Sequence, residues 1–421
     1  MNIFKKNKKE TLKEKIKNFW QKKKPFKKKK VESYSFKEVL IIMIFSIGIG
    51  AIMAISIINL NTKGNYFKNS KELNKLLEAY NTINNKYYGN LDKDKLIESA
   101  IDGMLSSVSD PYTTYIDSEA AESFMQRVNG KYQGIGCEIG MTTNSQIIIV
   151  NVFENTPASK AGLNIGDIVT KVDGKDFTGK TSTDVANYIK NSDKNKITMT
   201  ILRNEEEKKI TLERNNIEIP SVTSKTIETS KGKIGYLKIS IFSKVTTEQF
   251  KNKLKELENS NINSLIIDVR DNSGGYLDIV TDICDIFLAK NKIIYQLEDA
   301  SGKEIKYSKT NEHKEYNIAV LVNKNSASAS EILASAIKES YGGYVVGTNT
   351  YGKATVQQTY DMEDGSMIKY TTQRWLTPNG NFINEVGLEP THYVELDKEY
   401  YKDKNDANDN QLQMAISLLS Q

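Results

Sequence analysis

Histidine is nearly missing from this chain. There are two in 421 residues, His313 and His392, and neither stands in a motif-like context. A hydrolase built on the usual histidine base is therefore a poor fit. Cysteine is as scarce: Cys137 and Cys284 form no metal-ligand spacing, and no His-Glu-x-x-His motif or Cys/His cluster accompanies them. Both are expected as free thiols in different domains, and neither a metal nor another cofactor is expected. No internal repeat and no long Gly/Ser/Pro linker occurs, so the domains are expected to join tightly.

The formal net charge of +5 sits at one end. Residues 1–60 hold 15 Lys and 4 Glu, a net +11, which leaves the rest at −6. The basic balance thus belongs to a tail, and the remainder has no nucleic-acid footprint. Residues 39–60 then run uncharged for 22 positions, close to the ~20 that span a bilayer as a helix. That is longer than the ~7–15 residue core of a cleaved signal peptide. A weak cleavage-like Ala54-Ile55-Ser56 keeps release as the alternative. Lysines ahead of the span predict a cytoplasmic tail (1–38), a single transmembrane helix acting as signal anchor (39–60), and everything later on the extracellular face of the plasma membrane.

The remainder reads as α/β, α+β overall, in four parts. Residues 66–125 carry helical spacing at Leu73, Leu76, Leu77 and Tyr80, then at Leu96, Ile97, Ala100, Ile101 and Met104, until Asp110-Pro111 breaks it. Residues 126–214 turn to short β-rich runs at 147–152, 168–172, 197–202 and 208–212. Residues 220–396 alternate strand-like and helix-like runs: 234–239, 246–258, 265–269, 277–288. Residues 397–421 end in an apolar helix at 412–419, either packed on its own domain or serving docking or dimerisation.

Within the β-rich part, N-T-P-A-S-K-A-G-L-N-I-G-D-I-V-T-K-V-D-G (155–174) resembles the core of a PDZ domain. Gly134, Ile135, Gly136 and Cys137 resemble its carboxylate-binding loop, and 183–190 the helix across the groove. Backbone amides in such a loop can cradle a C-terminal carboxylate, while the next strand pairs with an extended peptide.

Ser328, Lys353 and Gln357 are the candidate chemical residues. Ser328 falls between an apolar strand (317–323) and a helix-like run (330–338), where free amides and the helix dipole favour an oxyanion. Ser328-x-x-Glu331 is equally a capping box, and one serine can serve both purposes. A buried lysine can replace histidine, since desolvation lowers its pKa toward working pH; Ser–Lys pairs are a known variant of the serine-hydrolase arrangement. Gln357 stands where it can orient the Lys353 amine. A competing motif, Gly347-x-x-x-x-Gly352-Lys353, mimics a P-loop. It lacks the Ser or Thr that binds Mg²⁺, having Ala354 there, and 355–360 reads as strand where a P-loop needs a helix.

Over residues 73–395 the chain resembles the C-terminal processing (tail-specific) serine peptidases. The resemblance rests on Asp110-Pro111-Tyr112-Thr113, the PDZ segment, D-V-R-D-N-S-G-G-Y-L (268–277), N-S-A-S-A-S-E-I (325–332), Y-G-K-A-T-V-Q-Q (351–358), L-T-P-N-G-N-F-I (376–383) and V-G-L-E-P-T (386–391), in that order. Ser273, Ala354 and Pro390-Thr391-His392 depart from the common pattern, none at a catalytic side chain. The resemblance implies a crotonase-like α/β core with an inserted PDZ domain. It assigns Ser328 as nucleophile, Lys353 as base, Gln357 as its support, and the amides of Ala329 and Gly274 or Gly275 as the oxyanion hole. Partners implied are proteins with exposed, apolar C-termini, with a homodimer possible. The rival reading is a membrane-anchored PDZ adaptor with an inactive protease-like domain.

Overall fold

The computed structural model describes residues 70–421, preceded by Ser35, Val39, Leu40, Met43, Ser46 and Ile49 as isolated positions. The basic tail and the apolar stretch 39–60 otherwise lie outside the described residues. No helix among the described residues is long and apolar enough to cross a membrane. The chain divides into two units, residues 1–93 and 94–421.

In the first unit, α1 (Lys71–Lys86) begins at Ser70, whose Oγ accepts from the Leu73 amide at 3.2 Å. Its apolar side stays open, with Leu76, Leu77 and Ile83 exposed.

The second unit starts one residue into α2 (Lys93–Ser106), which ends ahead of Asp110-Pro111. A short strand, β1 (Thr114–Ile116), and α3 (Ser118–Asn129) follow. Beyond the break expected at Asp110-Pro111, residues 114–116 form a strand within the region read as helical over 66–125. Those residues are extended because they pair antiparallel with residues 367–369, far along the chain. The Asp117 carboxylate caps α3 by accepting from the Ala120 amide at 2.9 Å, and Gly130 ends it at φ 69°.

The β-rich module comprises β2 (Lys131–Gly134), β3 (Cys137–Met141), β4 (Ile147–Val152), β5 (Ile168–Val172), β6 (Lys175–Asp176), α4 (Ser182–Lys190), β7 (Lys196–Arg203), β8 (Glu206–Glu213) and β9 (Asn215–Glu218). Strands β3-β4-β5-β7-β8 make one antiparallel sheet, and β2 pairs with β9 where the chain enters and leaves. Alternation sets the faces: Ile147 and Ile149 of β4, and Ile197, Met199 and Ile201 of β7, point inward. A capping box between Thr181 and Asp184 starts α4, which adds Val185 and Ile189 to that core.

The last part runs β10 (Val222–Thr229), β11 (Gly232–Ile239), α5 (Thr246–Asn259), β12 (Ile262–Asp268), α6 (Leu277–Phe287), β13 (Ile293–Asp299), β14 (Gly302–Tyr307), β15 (Asn317–Val322), α7 (Ala329–Ala336), β16 (Tyr344–Gly347), β17 (Thr355–Asp361), β18 (Met367–Leu376), β19 (His392–Tyr393) and α8 (Asn410–Leu419). One sheet has the order β10-β11-β12-β15-β16-β19, parallel except at β10. Both of its faces are covered, which is why its strands are almost continuously apolar. Leu265 and Ile267 of β12 and Ile318 and Val320 of β15 meet α5, α6 and α7 on one face. Ile266, Ala319 and Leu321 face the other way, onto Leu412, Ala415 and Leu419 of α8. The terminal helix is therefore packed on its own domain. A second sheet, β1-β18-β13-β14 with β17 beside β18, completes the part.

A buried ionic cluster ties α8 to the end of β12. Arg270 donates to the Asp268 carboxylate at 2.6 Å, to Asp409 at 2.8 Å and 2.9 Å, and to Gln411 Oε1 at 3.0 Å. Tyr236 also donates to Asp268, at 2.6 Å. The two carboxylates hold the guanidinium well above its ordinary pKa against the burial that lowers it. Breaking a buried pair from one side costs about 3–5 kcal/mol. Asp409→Ala is expected to destabilise the protein by about that amount, read as a lower urea midpoint at unchanged slope.

Candidate active site

Ser328 follows β15 through a loop that the neighbouring strand end holds down. Ser326 Oγ donates to the Val269 carbonyl at 2.8 Å, and the Ala327 amide and Ser330 Oγ donate to the Asn272 carbonyl at 3.0 Å and 2.8 Å. Ser328 itself adopts φ 56°, ψ −114° immediately before α7. A non-glycine residue there is strained, and the packed loop keeps it so. The turn after β12 comes up against it. A Cβ on Gly274 (φ +105°) would lie 2.9 Å from Ser328 Cβ and 3.1 Å from the Ala329 amide, so only glycine fits beside the nucleophile candidate. The Gly274 amide already donates to Asn272 Oδ1 at 2.8 Å. Gly275 is bridged to Phe242 through its neighbours' groups, the Gly274 carbonyl and the Tyr276 amide, which leaves its own amide outside that pairing. The Ala329 amide opens α7, where no intrahelical acceptor exists.

Lys353 lies on the loop between β16 and β17. Its amide donates to Glu331 Oε2 at 2.9 Å and its carbonyl accepts from Trp375 Nε1 at 2.9 Å. Gly352 (φ +82°) precedes it because the loop is pressed against 385–387, where a Cβ would meet three backbone nitrogens at 2.7–2.9 Å. The Lys353 amine donates to Gln357 Oε1, and Gln357 Nε2 is fixed by Thr355 Oγ1 at 2.9 Å and Thr371 Oγ1 at 3.1 Å. Burial, with a smaller contribution from nearby Lys369, brings the Lys353 amine down to about 8 against the opposing Glu331 and Asp110. The P-loop mimic is absent here, since 355–361 is strand β17.

Glu331 does more than its sequence position suggests. The sequence shows only the cap, in which it accepts the Ser328 amide at 2.7 Å. The same buried carboxylate accepts from Thr350 Oγ1 at 2.5 Å, Gly352 N at 2.7 Å and Lys353 N. It therefore binds the nucleophile loop to the base loop. Desolvation raises its pKa, and these four donors counter that. No local signal could have revealed the second grip, because Thr350, Gly352 and Lys353 reach it only through the fold.

The remaining candidates lie in the β-rich module. Gly134 ends β2, Ile135 is buried, and Cys137 opens β3. The Ile135 carbonyl accepts from the Ala158 amide at 2.8 Å and the Gly136 carbonyl from the Phe153 amide at 3.0 Å, which fixes the loop. Gly136 (φ +89°) could not carry a Cβ, since Thr156 would stand 2.2 Å away. Both cysteines are free thiols, with burial pushing Cys137 up to about 12. His313 pairs with Glu315 at 3.2 Å, and His392 lies in β19. Among the described residues no group of three His, Cys, Asp or Glu could hold a metal ion.

Residues 233–394 match the model of peptidase family S41, residues 133–213 that of the PDZ domain, and residues 51–120 that of the activating protease CtpB N-terminal domain. The carboxy-terminal processing protease CtpB of Bacillus subtilis (strain 168) is 40% identical over 76% of this chain and 67% of its own length. A protein of Staphylococcus aureus (strain COL), named as a CtpA-like serine protease, is 34% identical over 89% of this chain and 75% of its own. A solved structure from Bacteroides fragilis, assigned to the S41 proteases, shares the fold with a TM-score of 0.52 over 79% of this chain and 92% of its own, at 14% identity. The chain belongs to the S41 peptidases, as a serine protease of the CtpB/CtpA-like, carboxy-terminal processing kind.

Proposed function

We propose that Ser328 and Lys353 form a Ser–Lys dyad supported by Gln357, and that the PDZ domain presents protein C-termini to it. The observation that carries this reading is the Glu331 carboxylate, which holds the amides of Ser328 and Lys353 together. In the resting arrangement the Lys353 amine donates to Gln357. Its bond to Ser328 Oγ forms when substrate arrives, as catalytic contacts often tighten in the Michaelis complex. Neutral Lys353 then takes the hydroxyl proton, Ser328 attacks the peptide carbonyl, and the protonated amine passes its proton to the leaving nitrogen. Water resolves the acyl-enzyme. The amides of Ala329 and of the 274–275 turn receive the oxyanion, each worth roughly 2.7–4 kcal/mol. Of the two glycines the Gly275 amide is the better donor, since that of Gly274 is engaged by Asn272.

Support for C-terminal recognition comes from β3, which lies at the edge of its sheet. Across from it stand Val185, Tyr188 and Ile189 of α4, packed with Ile135 and Ile139. An extended C-terminus adds to β3 as a strand, and this lining favours an apolar terminal side chain. The uncharged stretch 39–60 behind a Lys-rich tail supports a single-pass anchor in the cell membrane with the catalytic part outside. The exposed Leu76, Leu77 and Ile83 of α1 suit pairing with a second copy.

A dyad with this base has a definite pH signature. Only the neutral amine can accept the Ser328 proton, so kcat/KM is expected to climb tenfold per pH unit on the acid side and level off above about 8. The measurement is kcat/KM against pH for an unfolded protein ending in apolar residues. A flat profile between pH 6 and 9 would remove Lys353 as the base.

A further inference from the structure

The Asp110-Pro111-Tyr112-Thr113 segment lies outside the peptidase part, yet it reaches the base. Asp110 and Pro111 suit the first two positions of a tight turn. The Thr113 amide closes it on the Asp110 carbonyl at 3.2 Å. The Asp110 carboxylate accepts from the Tyr112 amide at 3.1 Å and from Thr113 Oγ1 at 2.6 Å. Thr113 Oγ1 in turn accepts the Thr371 amide at 3.1 Å, and β1 continues along β18 with Thr114 opposite Lys369. Thr371 is the residue whose hydroxyl fixes Gln357. One docking point therefore serves both the turn and the side chain that holds Lys353. The turn delivers the Tyr112 ring over the Lys353 amine, with Nζ 4.9 Å from the ring centroid.

We propose that the face of Tyr112 is a positioning element for Lys353, holding and stabilising the ammonium formed when Lys353 takes the Ser328 proton. This rests on the dyad reading above. In the step concerned the Ser328 O–H bond breaks, an N–H bond forms on Lys353 Nζ, and the Oγ electron pair enters the bond to the substrate carbonyl carbon. The ring's negative face meets the charge that appears, while Gln357 Oε1 accepts from the same amine. Other charged groups act on the amine as well: Lys369 on β18, Glu331 on α7 and Asp110 on the turn, while Tyr351 neighbours the Tyr112 hydroxyl. They remain in place when only the ring is changed.

The test compares kcat/KM against pH for the whole chain and for Tyr112→Phe, Tyr112→Leu and Tyr112→Met, using the same unfolded protein substrate. Leu and Met keep apolar bulk over the amine but remove the ring face. Their acid limb is expected to move to lower pH by about half a unit, with a lower plateau. Phe is expected to restore the limb to its wild-type position, which separates the ring from the hydroxyl and its Tyr351 contact. Thermal midpoints identify any variant that unfolds, and two apolar replacements keep the test alive if one does. Leu and Met limbs that coincide with that of Phe, or that move to higher pH, overturn the proposal. If the wild type shows no acid limb, or Lys353→Ala retains activity, the dyad reading fails and takes this proposal with it.

Discussion

Ser328→Ala and Lys353→Ala are each expected to lower kcat for cleavage of an unfolded protein by on the order of 10⁴-fold or more. The two losses should not add, because nucleophile and base act in one step. Chelators should leave the wild type unaffected. Peptides ending in apolar residues should still bind both variants, since β3 and α4 lie in a separate hydrophobic core from Ser328 and Lys353. Thermal midpoints identify any variant that fails to fold, since Lys353→Ala gives up both its bond to Gln357 and its contact with the Tyr112 ring. Cleavage assays beside peptide-binding titrations check all of this. Binding without any cleavage, even in the wild type, would instead favour an adaptor.

Glu331→Ala should damage stability and turnover together. The carboxylate satisfies three backbone amides and one hydroxyl, all within 2.9 Å. Each buried donor left without an acceptor costs about 1–3 kcal/mol, so a combined loss of about 3–5 kcal/mol is expected after partial relaxation. Turnover should fall by on the order of 10²-fold even in the folded fraction, because a displacement of ~1 Å at the reacting groups has that effect. Glu331→Gln retains one acceptor oxygen but turns an amide toward donors, so it should fall between. Chemical denaturation and single-turnover rates separate the two effects. A stable, fully active Glu331→Ala would mean that the two loops hold their positions without it.

The regular elements were legible wherever local pattern and burial agree. Residues 147–152 and 168–172 are β-branched runs between turns, and both are strands with those limits. Residues 277–288 keep an apolar helical period and form α6, ending one residue earlier. The helix after Ser328 was legible at its start but not at its end: residues 337–341 widen into a π turn before Gly342, where Ser340 Oγ finds the Ile293 carbonyl at 2.5 Å. Strand β1 was not legible, because three residues have no period and their partners lie 251–255 positions on. The site divides in the same way. Ser328, Lys353 and Gln357 stand in compact motifs. The Glu331 carboxylate, the Asn272 bond to Gly274, and the Tyr112 ring over Lys353 are contacts between distant segments, so the sequence carries their residues but not their meeting.

The central claim is that Ser328 attacks the peptide carbonyl with Lys353 as its base. Its most direct test is acid quenching of wild-type enzyme within one turnover of an unfolded protein with an apolar C-terminus, followed by peptide mapping by mass spectrometry. An ester-linked acyl fragment on Ser328, absent from Ser328→Ala and Lys353→Ala and accumulating faster as pH rises toward about 8, is the expected result. An acyl group on another residue, or wild-type turnover by Ser328→Ala, would contradict it.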